Sequence, residues 1–76
     1  MLGYVLVTIA PANEQEVFNK LSKLSEIVEI HPLFGEYDII AKIEADDFEK
    51  LGGIILSKIR SIKGVIDTKT LTGVKF

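Results

Sequence analysis

The chain has 76 residues, 47% of them hydrophobic, with nine basic and eleven acidic side chains and a net charge of −2. This length allows one small domain, and the scattered charge argues against direct nucleic-acid binding. The chain has no cysteine, which excludes disulfides and cysteine-ligated metals. Its single histidine also disfavours a histidine-based structural zinc site. No apolar run is long enough to span a membrane, and the start lacks a signal peptide's positive charge. We therefore expect a cytoplasmic protein without a cofactor.

The first third of the chain predicts a strand followed by a helix. Residues 2–10 (LGYVLVTIA) are rich in β-branched side chains and apolar on both alternating sets, which is typical of a central strand covered on both faces. Asn13, with Glu16 three residues later, resembles a capping box. Apolar residues follow at helical spacing: Val17, Leu21 and Leu24. A first helix ending at about Ser25 is predicted.

The rest of the chain predicts two strands, a helix and a strand. Residues 27–31 alternate as a strand, and Pro32 places that strand at a sheet edge or bulge. Residues 37–44 form the third strand, and Asp46 or Asp47 caps a second helix that Gly64 closes. Residues 65–76 alternate as the last strand.

The order β-α-β-β-α-β predicts an α+β, ferredoxin-like sandwich, with two helices on one face of a four-stranded antiparallel sheet. Leu2, Tyr4 and Leu6 lie on one side of the first strand and Val5, Val7 and Ile9 on the other, and both sets are apolar. The sheet face without helices would therefore expose a large apolar patch. An exposed patch of that kind favours a dimer formed sheet to sheet.

Signals for catalysis are weak. No serine lies in a glycine-bounded nucleophile turn, and His31 is better explained as a surface or interface residue. Arg60, the only arginine, is far from the loop after the first strand, where an acylphosphatase has its phosphate-binding arginine. Metal chaperones with paired cysteines and RNA-recognition motifs with aromatic strands, which share the predicted fold, are also disfavoured. We expect a protein that is not an enzyme.

The segment HPLFGEYDII, residues 31–40, could bind a zwitterion. Gly35 permits positive φ and leaves backbone amides open to a carboxylate, and Asp38 could accept a hydrogen bond from an ammonium group. Thr68 and Thr70 add two hydroxyls on one face of the last strand. These are the recognition needs of a free α-amino acid. Alternatively, Gly35 only turns the chain and Asp38 only bonds nearby amides.

Two motifs carry a family resemblance. Gly-x-Tyr-Asp at residues 35–38 and Ile-x-Gly-Val-x-x-Thr-x-Thr at residues 62–70 resemble the C-terminal effector domain of the Lrp/AsnC transcription regulators, over essentially the whole chain. Family regulators place a helix-turn-helix domain before this module, whereas this chain begins with Met1 at the first strand. Residues 1–76 therefore look like a single stand-alone effector domain of the type called RAM.

The resemblance implies dimers formed through the sheets, rings of eight or ten subunits, and effector sites between dimers. It implies that the amino acid's polar end is held by Gly35, Tyr37 and Asp38. It also implies that the site is lined by Thr68, Thr70, Leu33 and Phe34. Co-assembly with full-length Lrp/AsnC regulators is a further expectation.

The second helix suggests the class of ligand. Residues 51–56 (LGGIIL) carry no charge, so a pocket containing Gly52 and Leu56 favours an apolar or small amino acid. Close helix packing is the alternative reason for Gly52 and Gly53. Two other functions stay open: a purely structural oligomerisation module, and a small dimeric ferredoxin-like enzyme.

Overall fold

The computed structural model describes all 76 residues and confirms the ferredoxin-like arrangement. Its elements in chain order are β1 (Leu2–Ile9), α1 (Glu14–Ser22), β2 (Ile27–Pro32), β3 (Ile39–Glu44), α2 (Phe48–Ile54), a π-helical segment (Ile55–Ile59) and β4 (Val65–Thr72). The strands form one antiparallel sheet in the order β2-β3-β1-β4. As predicted, β1 is central and the proline-ended β2 lies at an edge.

The core lies between one face of the sheet and the helices. Along β1 buried and half-buried residues alternate, because successive side chains of a strand point to opposite faces. The buried set packs into one cluster with α1, β3 and the second helix: Val5, Val7, Ile9, Val17, Leu21, Ile39, Ile43, Leu51, Ile55 and Ile59. On the opposite face, Leu2, Tyr4 and Leu6 remain partly exposed, as expected for a face left without helices.

The start of α1 differs from the predicted capping box. Asn13 precedes the helix, but its side chain makes no capping hydrogen bond. Its φ of −102° and ψ of 2° are not the extended backbone usual for a capping residue. Gly64 packs closely here: a Cβ on it would lie 2.9 Å from the Asn13 Cβ. The Asn13 side chain therefore lies against Gly64 and does not cap α1. At its other end α1 stops at Ser22, three residues earlier than predicted.

The second helix begins as predicted and then changes its hydrogen bonding. The Asp47 carboxylate accepts a hydrogen bond of 2.8 Å from the Lys50 N–H. From Ile55 the helix is π-helical, with the Arg60 N–H donating to the Ile55 carbonyl at 2.8 Å. Over four residues an α-helix rotates about 40° more than one full turn about its axis. Over four residues the wider π-helix rotates less than one full turn. The two offsets oppose each other, so Leu51, Ile55 and Ile59 all remain buried.

Two strand boundaries also differ from the sequence prediction. The third strand begins at Ile39, because Tyr37 and Asp38 belong to the preceding loop. The last strand ends at Thr72 instead of residue 76, although the Gly73 N–H still donates to the Leu2 carbonyl at 3.0 Å. None of the helices has the length and apolar character that crossing a membrane requires.

Candidate functional site

The loop between β2 and β3, residues 33–38, carries five of the residues predicted to bind ligand. It is closed by a hydrogen bond of 2.8 Å from the Leu33 N–H to the Asp38 carbonyl. Gly35 has a φ of +135°, a conformation that L side chains rarely adopt. Phe34, beside it, is fully exposed, and Tyr37 is half-buried. The loop thus presents an apolar tip and a polar base.

At the base of the loop, Asp38 is tied to the end of β1. Its Oδ2 accepts a hydrogen bond of 2.7 Å from the Ile9 N–H, and its own N–H donates to the Val7 carbonyl at 2.9 Å. The first of these bonds lies where the pairing of β1 with β4 shifts register, between Thr8 and Ile9. A carboxylate has about four lone-pair positions. The bond to Ile9 therefore leaves acceptor capacity on Asp38 for a further donor.

A cavity of about 190 Å³, here called the α1 cavity, opens beside Asp38. It is lined by Glu14, Gln15, Phe18, Pro32, Asp38 and Ile39. Its two carboxylates and one amide suit a group that carries N–H donors. Sequence reasoning did not select the three α1 residues, because their position against the loop depends on how α1 packs on the sheet. Asp38 is the one predicted site residue that borders this cavity.

A second and larger cavity, here called the α2–β4 groove, has a volume of about 280 Å³. Seven residues line it: Phe48, Leu51, Gly52, Ile55, Leu56, Thr70 and Thr72. Gly52, Leu56 and Thr70 had been selected from the sequence, and no lining residue is charged. The apolar spacing of the second helix could have pointed to Phe48 and Ile55, and the alternation of the last strand to Thr72.

The two glycines of α2 have free space beside them. A Cβ built on Gly52 or Gly53 meets no atom within 4 Å. Packing within this chain therefore gives no reason for either glycine. Of the two, only Gly52 borders the groove, while Gly53 is exposed.

The β2–β3 loop and the α2–β4 groove lie apart within one chain. β3 and β4 flank β1 on opposite sides, with Ile39 opposite Val7 and Thr72 opposite Gly3. The loop is therefore near the C-terminal end of β1, and the groove is near its N-terminal end. Thr68 is half-buried opposite Val7 and borders neither cavity. A single copy does not bring the whole predicted set together.

One charged pair supports the fold outside both cavities. The Lys58 ammonium, on the π-helical segment, donates to the Glu26 carboxylate in the loop before β2. This hydrogen bond lowers the pKa of Glu26 below its ordinary value of 4.5. No group of three or more acidic or histidine side chains is placed to hold a metal ion.

The chain is similar to transcription regulators and to several solved structures. It is 37% identical over 75 residues to the HTH-type transcriptional regulator FL11 of Pyrococcus horikoshii, covering 99% of this chain and 49% of FL11. The crystal structure of FFRP-DM1 superposes with a TM-score of 0.91 and 33% identity, over 96% of this chain and 97% of that one. The complex of NMB0573 from Neisseria meningitidis with L-Met has a TM-score of 0.88 and 24% identity, over 97% and 49% of the two chains; at this identity the likeness shows the fold alone.

The sequence also matches a whole family. This chain spans about half the length of the curated relatives that it matches. Residues 2–75 match the sequence model of the Lrp/AsnC ligand binding domain, which confirms the resemblance noted from the two motifs. The chain therefore belongs to the Lrp/AsnC ligand-binding domain family.

Proposed function

We propose that this chain is a non-catalytic effector module that binds a free amino acid with an apolar side chain and modulates Lrp/AsnC-type transcription regulation. The observation that carries the proposal is the uncharged α2–β4 groove in a domain of a ligand-binding family. Burying a charged side chain there without a partner would cost several kcal/mol. The Neisseria regulator that shares this fold was solved with L-Met, an amino acid of the class proposed here.

We propose further that two copies complete each site. The α2–β4 groove would hold the ligand side chain, with the hydroxyl of Thr70 at its edge. Gly35, Tyr37 and Asp38 from the loop of a second copy would hold the ammonium and carboxylate groups. The loop is suited to reach a neighbour, since Phe34 at its tip is fully exposed. Thr68 and Leu33 would contribute to the walls of this shared site.

In this proposal the copies first pair through the open sheet face, and the dimers then assemble into rings of eight or ten subunits. The partly exposed Leu2, Tyr4 and Leu6 support sheet pairing, since an apolar patch on a small domain favours association. Full-length Lrp/AsnC regulators would be a second class of partner, because they carry a domain of the same fold.

Thermal unfolding against each of the twenty amino acids, with the mass in solution recorded in parallel, tests the proposal. A ligand at a hundred times its dissociation constant stabilises the folded state by about 2.7 kcal/mol. A shift with one or a few apolar amino acids, on a particle larger than a dimer, is the expected result. If no amino acid shifts the transition at millimolar concentration, the sensing function is wrong.

One observation favours a second candidate, a purely structural oligomerisation module. The Asp38 carboxylate already has a partner in the Ile9 N–H, so a ligand is not needed to explain an aspartate at this position. In that case the same screen would show an intact oligomer whose unfolding temperature is indifferent to every amino acid.

A further inference from the structure

We infer that Gly52 determines specificity, because the absence of a side chain there sets the largest apolar ligand side chain that the α2–β4 groove admits. This inference rests on the proposed function and deepens it. It names large apolar amino acids, of the size of leucine, methionine or phenylalanine, as the preferred ligand class.

The backbone and the packing of α2 do not require glycine at Gly52. Positive φ occurs at Gly35 and Gly64 but at neither α2 glycine, so an L side chain fits the helical backbone there. A Cβ at this position meets no atom within 4 Å. Glycine also weakens a helix relative to alanine, and α2 holds two glycines in seven residues. The chain therefore carries a helix-destabilising residue where alanine would fit.

The position of Gly52 supplies a reason for glycine. Gly52 borders the α2–β4 groove between the apolar side chains of Phe48 and Leu56, whereas Gly53 is exposed. Ligand pockets in proteins run from roughly 300 to 1,000 Å³, so a groove of about 280 Å³ lies just below that range. In a groove of this size a single added methyl group removes space that a large ligand side chain needs.

The lining also says what kind of side chain fits. Five of the seven lining residues are Phe48, Leu51, Gly52, Ile55 and Leu56, and the remaining two are threonines. There is no charged partner for an acidic or basic ligand side chain. The groove therefore matches a side chain that is apolar throughout and large enough to fill the space beside Gly52.

The test compares Gly52→Ala with Gly53→Ala as a matched control. Calorimetric titration with L-alanine, L-valine, L-leucine, L-methionine and L-phenylalanine would give the affinity profile of each protein. A one-carbon difference in an apolar pocket changes affinity by about 10- to 200-fold. We expect Gly52→Ala to bind the largest amino acid accepted by the parent at least about tenfold more weakly, with a smaller loss for L-alanine. Gly53→Ala should keep the parent profile.

Thermal unfolding without ligand shows whether each variant folds. Both alanines should raise the melting temperature, by about 4–8 °C each in a chain of this size, because neither meets a neighbour. An unchanged profile in a folded Gly52→Ala protein would overturn the inference while leaving the proposed function standing. A change of mass in solution with Gly52→Ala alone would overturn it as well, because the space would then serve subunit packing. If the parent binds none of the five amino acids, the inference is wrong, and the screen of all twenty amino acids decides the proposed function separately.

Discussion

The Asp38 carboxylate accepts a hydrogen bond of 2.7 Å from the Ile9 N–H, joining two residues that are 29 positions apart in the chain. Ile9 is buried at the end of β1, where the strand's pairing with β4 shifts register. The bond fastens the loop that carries the predicted ligand residues to the central strand. Asp38 thus holds the loop against β1, and this structural role does not depend on a ligand.

Replacing Asp38 with alanine should destabilise the protein by about 1–3 kcal/mol, because the Ile9 N–H would lose its partner. Asp38→Asn keeps an acceptor oxygen and should cost less. Denaturation in urea, with the free energy of unfolding extrapolated to water, measures both. Equal stability of Asp38→Ala and the parent would show that the hydrogen bond contributes nothing.

Asp38→Asn also separates the structural role from ligand binding. The amide cannot attract an ammonium group as a carboxylate does. If Asp38 holds the ligand's ammonium group, this variant should fold and yet bind the amino acid at least about tenfold more weakly in calorimetric titration. Retained affinity in the folded variant would remove Asp38 from the site and leave it with its bond to Ile9.

Gly3→Ala should destabilise the core by about 1–3 kcal/mol through overpacking. A Cβ at Gly3 would lie 2.7 Å from Leu51 Cδ2 and 2.8 Å from Cδ1, and Leu51 is fully buried. Gly73→Ala is the control, because its Cβ would meet Leu2 at an ordinary 3.7 Å. Chemical denaturation of the two variants should give clearly different free energies of unfolding.

A double-mutant cycle can attribute that loss to a single contact. Shortening Leu51 to valine should relieve the clash, so Gly3→Ala should cost less in the Leu51→Val background than in the parent. If the two substitutions are additive, the loss arises elsewhere in the packing of α2 on β1.

Tyr4→Glu should dissociate the proposed sheet-to-sheet dimer without unfolding the chain. Tyr4 is on the face of β1 away from the helices, opposite Lys42 on β3 and Leu71 on β4. In the free subunit water solvates the new carboxylate, whereas a closed interface removes that water and leaves Lys42 as the only charged residue directly opposite it on β3 or β4. Because burying such a charge costs several kcal/mol and about 1.4 kcal/mol is tenfold, the dimer dissociation constant should rise at least about a hundredfold.

Sedimentation and far-ultraviolet circular dichroism check the Tyr4 prediction together. The expected result is a smaller particle with an unchanged spectrum. A particle of parental mass would contradict pairing through this face. Loss of the folded circular dichroism signal would mean that the variant does not fold, so that β1 tolerates no charge on either face.

The pair of Glu26 and Lys58 predicts how stability depends on pH. Because the hydrogen bond from Lys58 lowers the pKa of Glu26 in the folded chain, the folded state favours the carboxylate form more than the unfolded state does. The contribution of this pair to the free energy of unfolding is therefore complete above the ordinary Glu26 pKa of 4.5. That contribution is lost as the pH falls through the pKa of Glu26 in the folded chain. Unfolding of Lys58→Met and the parent should differ at pH 7 and converge in acid. A difference that is constant with pH would assign the effect to packing of the lysine stem.

The second helix shows where local pattern succeeded and where it failed. Asp47 was one of two predicted caps, and its carboxylate does bond the Lys50 N–H, because capping depends on residues three positions apart. The capping box at Asn13 was wrong, because Asn13 lacks the extended backbone of a capping residue and its side chain makes no capping hydrogen bond. The π-helical segment was not predicted, since the four-residue spacing of Leu51, Ile55 and Ile59 fits an ordinary apolar helix face about as well.

The sequence by itself determined the order of the elements and the family, because alternation, helical spacing and short motifs are local properties of the chain. Only the tertiary structure decided that Asp38 bonds Ile9, that α1 side chains border its cavity, and that the β2–β3 loop and the α2–β4 groove lie apart. Those relationships depend on which strands become neighbours and in what register. Register and the packing of the helices on the sheet are set by burial over the whole chain, and no local spacing encodes them.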